Sequence, residues 1–266
     1  MAARGLHVET HGEGPPLLLV AGLGQGVWVW RSVAPALARS RRVVMFDNRG
    51  TGRSPMPARS SIQDLAADAA SVLAAPADIV GFSMGGYVAL TLANSEPALV
   101  RSLVLAGTGA GGSDRVPRPD HVRTAFAEAI GLPLEEFGRR TMPYTFGPGW
   151  PEAHPREFEE ILSARLEHPT SYAALEAHVT ACHRFYEEAR AVEGIEVPAL
   201  VVHGDADLIV PVENGRNLAA RLPNAEYVEL PGRGHNLMLE DPDTFVQLVE
   251  RLLARYDNGA KNVVIR

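Results

Sequence analysis

The chain of 266 residues is 46% hydrophobic and 21% charged, so it can bury the core of one large domain. Its net charge of −7 comes without a basic run, which excludes the electrostatic surface that nucleic-acid binding requires. A single cysteine, Cys182, excludes an internal disulfide framework and a multi-thiolate metal site. The first residues lack an apolar signal region, and the longest apolar run, residues 17–23, is too short to cross a bilayer. We therefore expect a cytoplasmic protein that binds neither membranes nor nucleic acids.

Short β-rich runs alternate with segments of helical period, the pattern of a mostly parallel sheet with helices on both faces. The predicted strands are His7–Thr10, Leu17–Ala21, Val43–Phe46, Asp78–Gly81, Leu103–Ala106, Ala199–Val202 and Tyr227–Leu230. Apolar spacing also predicts a helix after Ser61, which forms a capping pair with Asp64. A closing helix is predicted to begin at Asp241-Pro242.

This alternation stops between residues 109 and 193, where helical stretches separated by Pro and Gly replace the strands. We expect these residues to form a helical cap over the carboxyl ends of the strands. Residues 1–108 and 194–256 would then form the core domain. Residues 257–266 lack a helical pattern and are predicted to be a C-terminal tail.

The strongest chemical motif is Gly-Phe-Ser-Met-Gly at residues 81–85, where a predicted strand runs directly into a predicted helix. A turn this tight requires glycine two residues on either side of the serine, and it lifts the hydroxyl above the sheet. The G-x-S-x-G pattern alone is weak, and a serine in an ordinary strand-to-helix turn is the alternative. Because the required strand and helix flank the motif, we predict that Ser83 is a nucleophile.

A serine hydroxyl needs a base that takes its proton, and that base needs an orienting carboxylate. Among nine histidines, His235 lies in a glycine-rich loop after the last predicted strand and before the closing helix. We predict it to be the base, the alternative being a surface histidine that stabilises its loop. The carboxylate should follow the preceding strand, where Asp205 and Asp207 are both available. Local chemistry does not separate these two aspartates.

The backbone should also supply two N–H donors for the oxyanion of a tetrahedral intermediate. Met84, directly after the nucleophile, is predicted to supply one, and Leu23, in the loop after the first core strand, the other. Large apolar side chains near this loop and the cap predict a pocket for an apolar acyl or alcohol group. The candidate pocket residues are Trp28, Phe82, Met142, Phe146, Trp150 and Tyr186. The alternative is that most of them form the core of the cap.

Together with the Asp-Asn-Arg-Gly-Thr-Gly-Arg-Ser loop at residues 47–54, His-Gly-Asp-Ala-Asp at residues 203–207 and Gly234-His235, the nucleophile motif resembles the α/β-hydrolase superfamily. Within it, the chain is similar to the group of 3-oxoadipate enol-lactonases, cofactor-free haloperoxidases and polyketide methyl esterases. The resemblance covers nearly the whole chain except the cap. It implies the α/β-hydrolase fold, with a mostly parallel eight-stranded sheet, helices on both faces and an inserted helical cap.

The resemblance also assigns roles to particular residues. In this group the second acid of the His-Gly-x-x-Asp stretch orients the histidine, which points to Asp207. Asp47 and Arg49 correspond to a loop with a structural role. Many members have His-Gly where this chain has Ala21-Gly22, a departure next to the predicted donor Leu23.

The expected activity is that of a serine hydrolase, which cleaves a small-molecule carboxylic ester or lactone through an acyl-enzyme without a cofactor or metal. Perhydrolysis or haloperoxidase-type activity and C–C bond hydrolysis use the same fold and residues and are alternatives. A non-catalytic receptor for a small ligand is an alternative of another class. A dinucleotide-binding domain is disfavoured, because Val27 stands where the G-x-G-x-x-G fingerprint requires glycine. The sequence predicts neither the physiological substrate nor the oligomeric state.

Overall fold

A computed structural model describes residues 5–56, 60–188 and 191–262, with side chains described as far as residue 255. The strands are β1 (Val8–His11), β2 (Pro16–Val20), β3 (Arg42–Phe46), β4 (Ala77–Phe82), β5 (Val100–Ala106), β6 (Ala199–Gly204) and β7 (Ala225–Leu230). They form one sheet in the order β1-β3-β2-β4-β5-β6-β7, in which only the β1–β3 pair is antiparallel. The mostly parallel sheet predicted from the sequence is confirmed.

The expected number of eight strands is wrong for the described residues, which form seven. All seven strands predicted from the sequence are present, and the eighth came only from the family resemblance. Residues 5–7, ahead of β1, have irregular backbone, so β1 is the edge of the sheet on that side.

Helices flank this sheet. They are α1 (Ala34–Leu37), α2 (Ile62–Ser71), α3 (Met84–Ser95), α4 (Asp120–Ala129), α5 (Leu134–Thr141), α6 (Trp150–Ala153), α7 (Pro155–Glu167), α8 (Tyr172–Glu187), α9 (Val212–Arg221), α10 (Leu237–Glu240) and α11 (Pro242–Asn262). The start of α2 is the predicted capping box: the hydroxyl of Ser61 accepts from the Asp64 N–H, and the Asp64 carboxylate accepts from the Ser61 N–H, both at 3.1 Å.

The closing helix α11 continues beyond residue 256, where the sequence predicts a non-helical tail. That prediction is wrong for residues 257–262, because a helix that is already formed gains one hydrogen bond for each added residue and does not need an apolar face to continue. Residues 263–266 of the predicted tail lie outside the described residues.

The core lies on both faces of the sheet, and the central strands alternate between the two faces. Leu18 and Val20 of β2 pack with α2 and α3 on one face, whereas Leu17 and Leu19 pack with α11 on the other. Because both faces of the sheet are buried, we expect a ligand-binding site at the loops that follow the carboxyl ends of the parallel strands.

Helices α4 to α8 all lie between β5 and β6, within residues 109–193, which we call the helical insertion. The insertion has two small apolar clusters of its own, separate from the two clusters on the sheet. Among the described residues, no helix combines the length and the apolar character needed to cross a membrane.

Candidate active site

Ser83 occupies the turn between β4 and α3, with φ 53° and ψ −118°. It is the only residue other than glycine with a positive φ in the described part of the chain, a conformation that costs about 1–3 kcal/mol. The neighbouring glycines permit it: a Cβ on Gly85 would lie 2.0 Å from the carbonyl oxygen of Val20, and one on Gly81 would lie 2.5 Å from that of Gly85. The predicted strand, tight turn and helix around Ser83 are therefore confirmed.

Three loops at the carboxyl ends of β4, β6 and β7 bring Ser83, Asp207 and His235 together. The Ser83 Oγ lies 2.9 Å from the His235 Nε2, and the His235 Nδ1 lies 2.7 Å from the Asp207 Oδ2. Because a carboxylate only accepts, Nδ1 carries the hydrogen of a neutral imidazole, and Nε2 is left to accept from the serine hydroxyl. The three residues are 9%, 5% and 4% exposed, in chain order.

The structure separates the two aspartates that local sequence chemistry leaves equivalent. The second oxygen of Asp207 accepts from the backbone N–H groups of Ile209 at 2.8 Å and Val210 at 2.9 Å, so both carboxylate oxygens are held. Asp205 is exposed and accepts from the N–H of Gly232 at 2.6 Å. Only Asp207 is in contact with the imidazole.

His203, near the carboxyl end of β6, also contacts Asp207. Its Nε2 donates to the carbonyl of Val210 at 2.8 Å and lies 3.2 Å from the Asp207 Oδ2. Burial raises the pKa of Asp207, but the charges and hydrogen bonds of His235 and His203 outweigh burial and hold that pKa well below its ordinary value. His203 lies in β6 and Asp207 in the loop that follows, so no helical periodicity in the sequence indicates their contact.

Two neighbours constrain the imidazole of His235. The ring of Phe82, a predicted pocket residue, is fully buried with its centroid 4.8 Å from that of His235. On another side, Gly107 has φ 55°, and a Cβ there would lie 3.2 Å from Nδ1. Phe82 therefore supports the histidine from within the core.

The two predicted oxyanion donors, Leu23 and Met84, lie beside Ser83. Met84 is the first residue of α3, and Leu23 follows Gly22 in the loop after β2. A Cβ on Gly22 would lie 3.2 Å from the Ser83 Cβ, which shows how closely this loop approaches Ser83. Neither the Leu23 nor the Met84 N–H has an acceptor among the residues that the structure describes, so both remain available as donors.

Three predicted pocket residues, Met142, Phe146 and Trp150, pack on one another inside the helical insertion. The rings of Phe146 and Trp150 are stacked, with centroids 4.4 Å apart and planes at 7°. Short helices with one apolar face bury that face most readily against each other. Their packing in one cluster fits the alternative that the sequence left open, and a pocket at these residues stays a prediction.

The other two predicted pocket residues lie in separate places. Trp28 lines a surface groove of about 450 Å³ whose walls do not include Ser83. The hydroxyl of Tyr186, on α8, lies 2.8 Å from that of Tyr87 on α3. Tyr186 lines a second, smaller pocket, so these two predicted residues lie in different cavities.

The loop that carries His235 is tied to the helical insertion by polar contacts that the sequence did not reveal. Asn236 donates from its backbone to the carbonyl of Thr145 at 2.8 Å and from its side chain to the Thr145 hydroxyl at 2.7 Å. Glu240 accepts from the backbone N–H groups of Gly147 at 3.1 Å and Gly234 at 2.9 Å, and burial raises its pKa. The insertion and the histidine loop are therefore held in a defined relation.

This arrangement can transfer a proton from a hydroxyl to an imidazole while a carboxylate stabilises the resulting positive charge. In the described part of the chain, no group of three His, Cys, Asp or Glu side chains could hold a metal ion.

Comparison with known proteins agrees with the fold. Residues 15–242 match the family of the α/β hydrolase fold. The chain belongs to this family and is a hydrolase.

Among curated relatives, the RutD protein of Azorhizobium caulinodans, which carries the name of a carbamate hydrolase, is 30% identical over 249 residues, or 92% of this chain and 93% of the relative. Among solved structures, a protein of Mycobacterium tuberculosis H37Rv named as the non-heme bromoperoxidase BpoC is similar with a TM-score of 0.82 and 26% identity, covering 96% and 97% of the two chains. The enol-lactonase of Burkholderia xenovorans LB400 is similar with a TM-score of 0.80 and 26% identity, covering 94% of this chain and 96% of the enol-lactonase. The resemblance to enol-lactonases and haloperoxidases that the motifs indicate is confirmed.

Proposed function

We propose that this hydrolase cleaves a carboxylic ester or lactone through an acyl-enzyme formed on Ser83. The observation that carries the proposal is the buried chain from the Ser83 hydroxyl through His235 to Asp207, with contacts of 2.9 Å and 2.7 Å. The order of these residues along the chain is that of α/β hydrolases.

In the first half of the reaction, His235 Nε2 takes the hydroxyl proton as the Ser83 Oγ attacks the substrate carbonyl carbon. The carbonyl oxygen becomes an oxyanion and is held by the N–H groups of Leu23 and Met84. When the tetrahedral intermediate collapses, the bond to the alcohol oxygen breaks, and His235 gives its proton to that oxygen. Asp207 stabilises the imidazolium that exists between these two transfers.

In the second half, His235 removes a proton from a water molecule as the water oxygen attacks the carbonyl carbon of the acyl-enzyme. The carbonyl oxygen again becomes an oxyanion and is held by the same two N–H groups. The bond to the Ser83 Oγ then breaks, the serine recovers its proton, and the carboxylic acid leaves. The reaction consumes only substrate and water.

We also propose that the helical insertion acts as a cap over this site. The hydroxyl of Thr170 donates to the carbonyl of Gly24 at 3.1 Å, and a Cβ on Gly24 would lie 2.4 Å from a methyl group of Leu175. Residues next to and within α8 therefore contact the loop that carries Leu23. A cap in this position would select the substrate and limit the access of water.

A carbamate is the second candidate substrate class. The relative named as a carbamate hydrolase matches 92% of this chain, including the segments that carry Ser83 and His235. A carbamoyl carbonyl can be attacked by the same hydroxyl and held by the same donors, so the geometry of the site accepts both classes.

Turnover of p-nitrophenyl acetate, p-nitrophenyl butyrate and p-nitrophenyl N-methylcarbamate tests these proposals. We expect the esters to be hydrolysed and the activity to vanish in Ser83→Ala but not in Ser113→Ala, an exposed serine far along the chain. A higher kcat/KM for the carbamate would favour the second candidate. Turnover that depends on added peroxide would favour perhydrolysis. A folded wild-type protein without any turnover would contradict the proposal and favour the receptor.

A further inference from the structure

A small pocket next to the proposed active site is lined by two arginines and two tyrosines. Arg118 and Arg115 lie on the segment that leads into α4, Tyr87 lies on α3, and Tyr186 lies at the end of α8. The pocket has a volume of about 20 Å³, enough for one water-sized group, and it opens to solvent where Arg115 is exposed.

Among the described residues, neither guanidinium group has a carboxylate within ion-pair distance. Arg118 donates through Nε to the carbonyl of Ile209 at 3.2 Å and stacks over the ring of Phe126 at 4.8 Å. Arg115 stacks over the ring of Tyr186 at 4.1 Å. Within the described residues, no carboxylate lies within 4.0 Å of either arginine, and neither the terminal nitrogens of Arg118 nor the side chain of Arg115 has a hydrogen-bond acceptor.

This lack of partners is unusual for a side chain as enclosed as Arg118. Burial lowers the pKa of Arg118 because its charge has lost part of its hydration, and the carboxylate of Asp207, which lies beyond ion-pair distance, offsets this loss only in part. The nearby like charge of Arg115 adds to this cost. An anion between the two guanidinium groups would remove both penalties.

The tyrosines add a further donor. Their hydroxyl oxygens are 2.8 Å apart, so one hydroxyl donates to the other, and one O–H of the pair remains free to donate elsewhere. Burial raises the pKa of Tyr186 to about 12 and also raises that of Tyr87, so both phenols keep their protons at neutral pH. The only side-chain amide in the wall, that of Asn214, is already paired with the backbone of Val116. The groups left without partners are therefore donors.

Two connections place this pocket beside the nucleophile. The Thr108 hydroxyl donates to the Ser83 carbonyl at 2.9 Å, and the next residue, Gly109, is part of the pocket wall. On the other side, Ile209 accepts from Arg118 through its carbonyl and donates to Asp207 through its N–H.

We propose that Arg118, Arg115 and the Tyr87–Tyr186 hydroxyl pair bind a carboxylate group. Guanidinium groups match a carboxylate in charge and in the planar arrangement of their donors. The carboxylate belongs either to the substrate of Ser83, which would then be an ester or lactone of an acid with a second carboxyl group, or to a separate small acid. The first source rests on the proposed function, and the second does not.

Two esters of equal acyl length test the first source: mono-p-nitrophenyl succinate, which ends in a carboxylate, and p-nitrophenyl butyrate, which ends in a methyl group. We expect Arg118→Gln to lower the ratio of their kcat/KM values, succinate ester over butyrate ester, about 10- to 100-fold, the usual effect of losing hydrogen bonds to a charged group. Tyr186→Phe should lower the ratio less and preserve packing. Arg184→Gln, an exposed arginine two residues from Tyr186 that lies outside the pocket, should leave the ratio unchanged.

Thermal unfolding with added succinate tests the second source, and it needs no turnover. If succinate raises the Tm of the wild type and of Arg184→Gln but not of Arg118→Gln, the pocket binds a carboxylate even where the two esters are not distinguished, and the ligand is then a separate acid. An unchanged ester ratio together with equal Tm shifts in the wild type and Arg118→Gln would overturn the proposal. If neither ester is hydrolysed, the proposed function fails, and the Tm comparison alone decides whether the pocket binds a carboxylate.

Discussion

The loops at the carboxyl edge of the sheet contact the helical insertion, residues 109–193, but the side chains of the two regions are held in different ways. Ser83, Asp207 and His235 are buried and joined by contacts of 2.7–2.9 Å, and each lies at or shortly after the carboxyl end of a strand. The insertion has small apolar clusters and exposed ion pairs within its helices, such as Arg139 with Glu135. Exposed pairs of this kind contribute little to stability.

This difference shows where precision in the molecule comes from. At the sheet edge, backbone hydrogen bonds between parallel strands fix the position of each loop, and glycines allow the close approaches that the site requires. In the insertion, position depends on how side chains pack. We therefore expect changes at the sheet edge to affect catalysis or folding sharply and changes in the insertion to have graded effects.

The largest effect is expected from removal of the nucleophile or the base. Ser83→Ala and His235→Ala should each lower kcat for p-nitrophenyl butyrate by about 10⁶-fold, because either change stops covalent catalysis altogether. The double variant should be no worse than either single variant, since the two side chains act as one unit. Additive losses in the double variant would contradict the proposed mechanism.

The next effect distinguishes two aspartates only two residues apart. Asp207→Asn should lower kcat by about 10⁴-fold, because an amide at that position stabilises the wrong tautomer of His235. Asp205→Asn, which changes an exposed carboxylate that binds the Gly232 N–H, should retain most of the activity. Equal losses of kcat in the two variants would show that activity depends on the conformation of the loop and not on the contact between Asp207 and His235.

Substitution of one glycine at the sheet edge and one in the insertion compares how strongly each region affects the free energy of unfolding. Gly85→Ala should lower the free energy of unfolding by about 3 kcal/mol, because its Cβ would lie 2.0 Å from the backbone oxygen of Val20. Gly149→Ala in the insertion should cost about 1 kcal/mol, because no atom lies within 4 Å and only its φ of +74° is unfavourable. Urea denaturation measures both, and a reversed order would contradict the contrast between the two regions.

Phe146→Leu tests whether the aromatic cluster of the insertion lines the substrate pocket. Loss of the stacked contact with Trp150 should lower the free energy of unfolding by about 2 kcal/mol, while KM for p-nitrophenyl butyrate changes by less than about threefold. A large rise in KM with unchanged stability would instead place Phe146 in the pocket, as the sequence predicts.

The last effect is a dependence on pH. The pKa of Asp207 is lower in the folded protein than its value of 3.8 in an unfolded chain, so its carboxylate contributes stability above about pH 3.8 that is lost as the pH falls toward the folded pKa. The difference in Tm between wild type and Asp207→Asn should therefore shrink as the pH falls below about 4. A difference that does not change as the pH falls from about 4 to about 2.5 would contradict the lowered pKa of Asp207.

The same contrast explains what the sequence could predict. Strands with both faces buried have a clear apolar pattern, and glycines around Ser83 and before His235 are local signals of tight backbone, so these features follow from the sequence. The distinction between Asp205 and Asp207 depends on which carboxylate reaches across to another loop, which no local pattern contains. The aromatic residues of the insertion give the same sequence pattern whether they line a pocket or pack on one another. Their contacts therefore could not be predicted from the sequence.

The most direct test of the central claim is the covalent labelling of the folded protein with a fluorophosphonate, followed by mass spectrometry of the intact chain and its peptides. We expect one phosphonyl group on Ser83 of the wild type, much slower labelling in His235→Ala, and none in Ser83→Ala or in the unfolded wild type. A folded wild-type protein that remains unlabelled, or that is labelled at another residue, would contradict the assignment of Ser83 as the nucleophile.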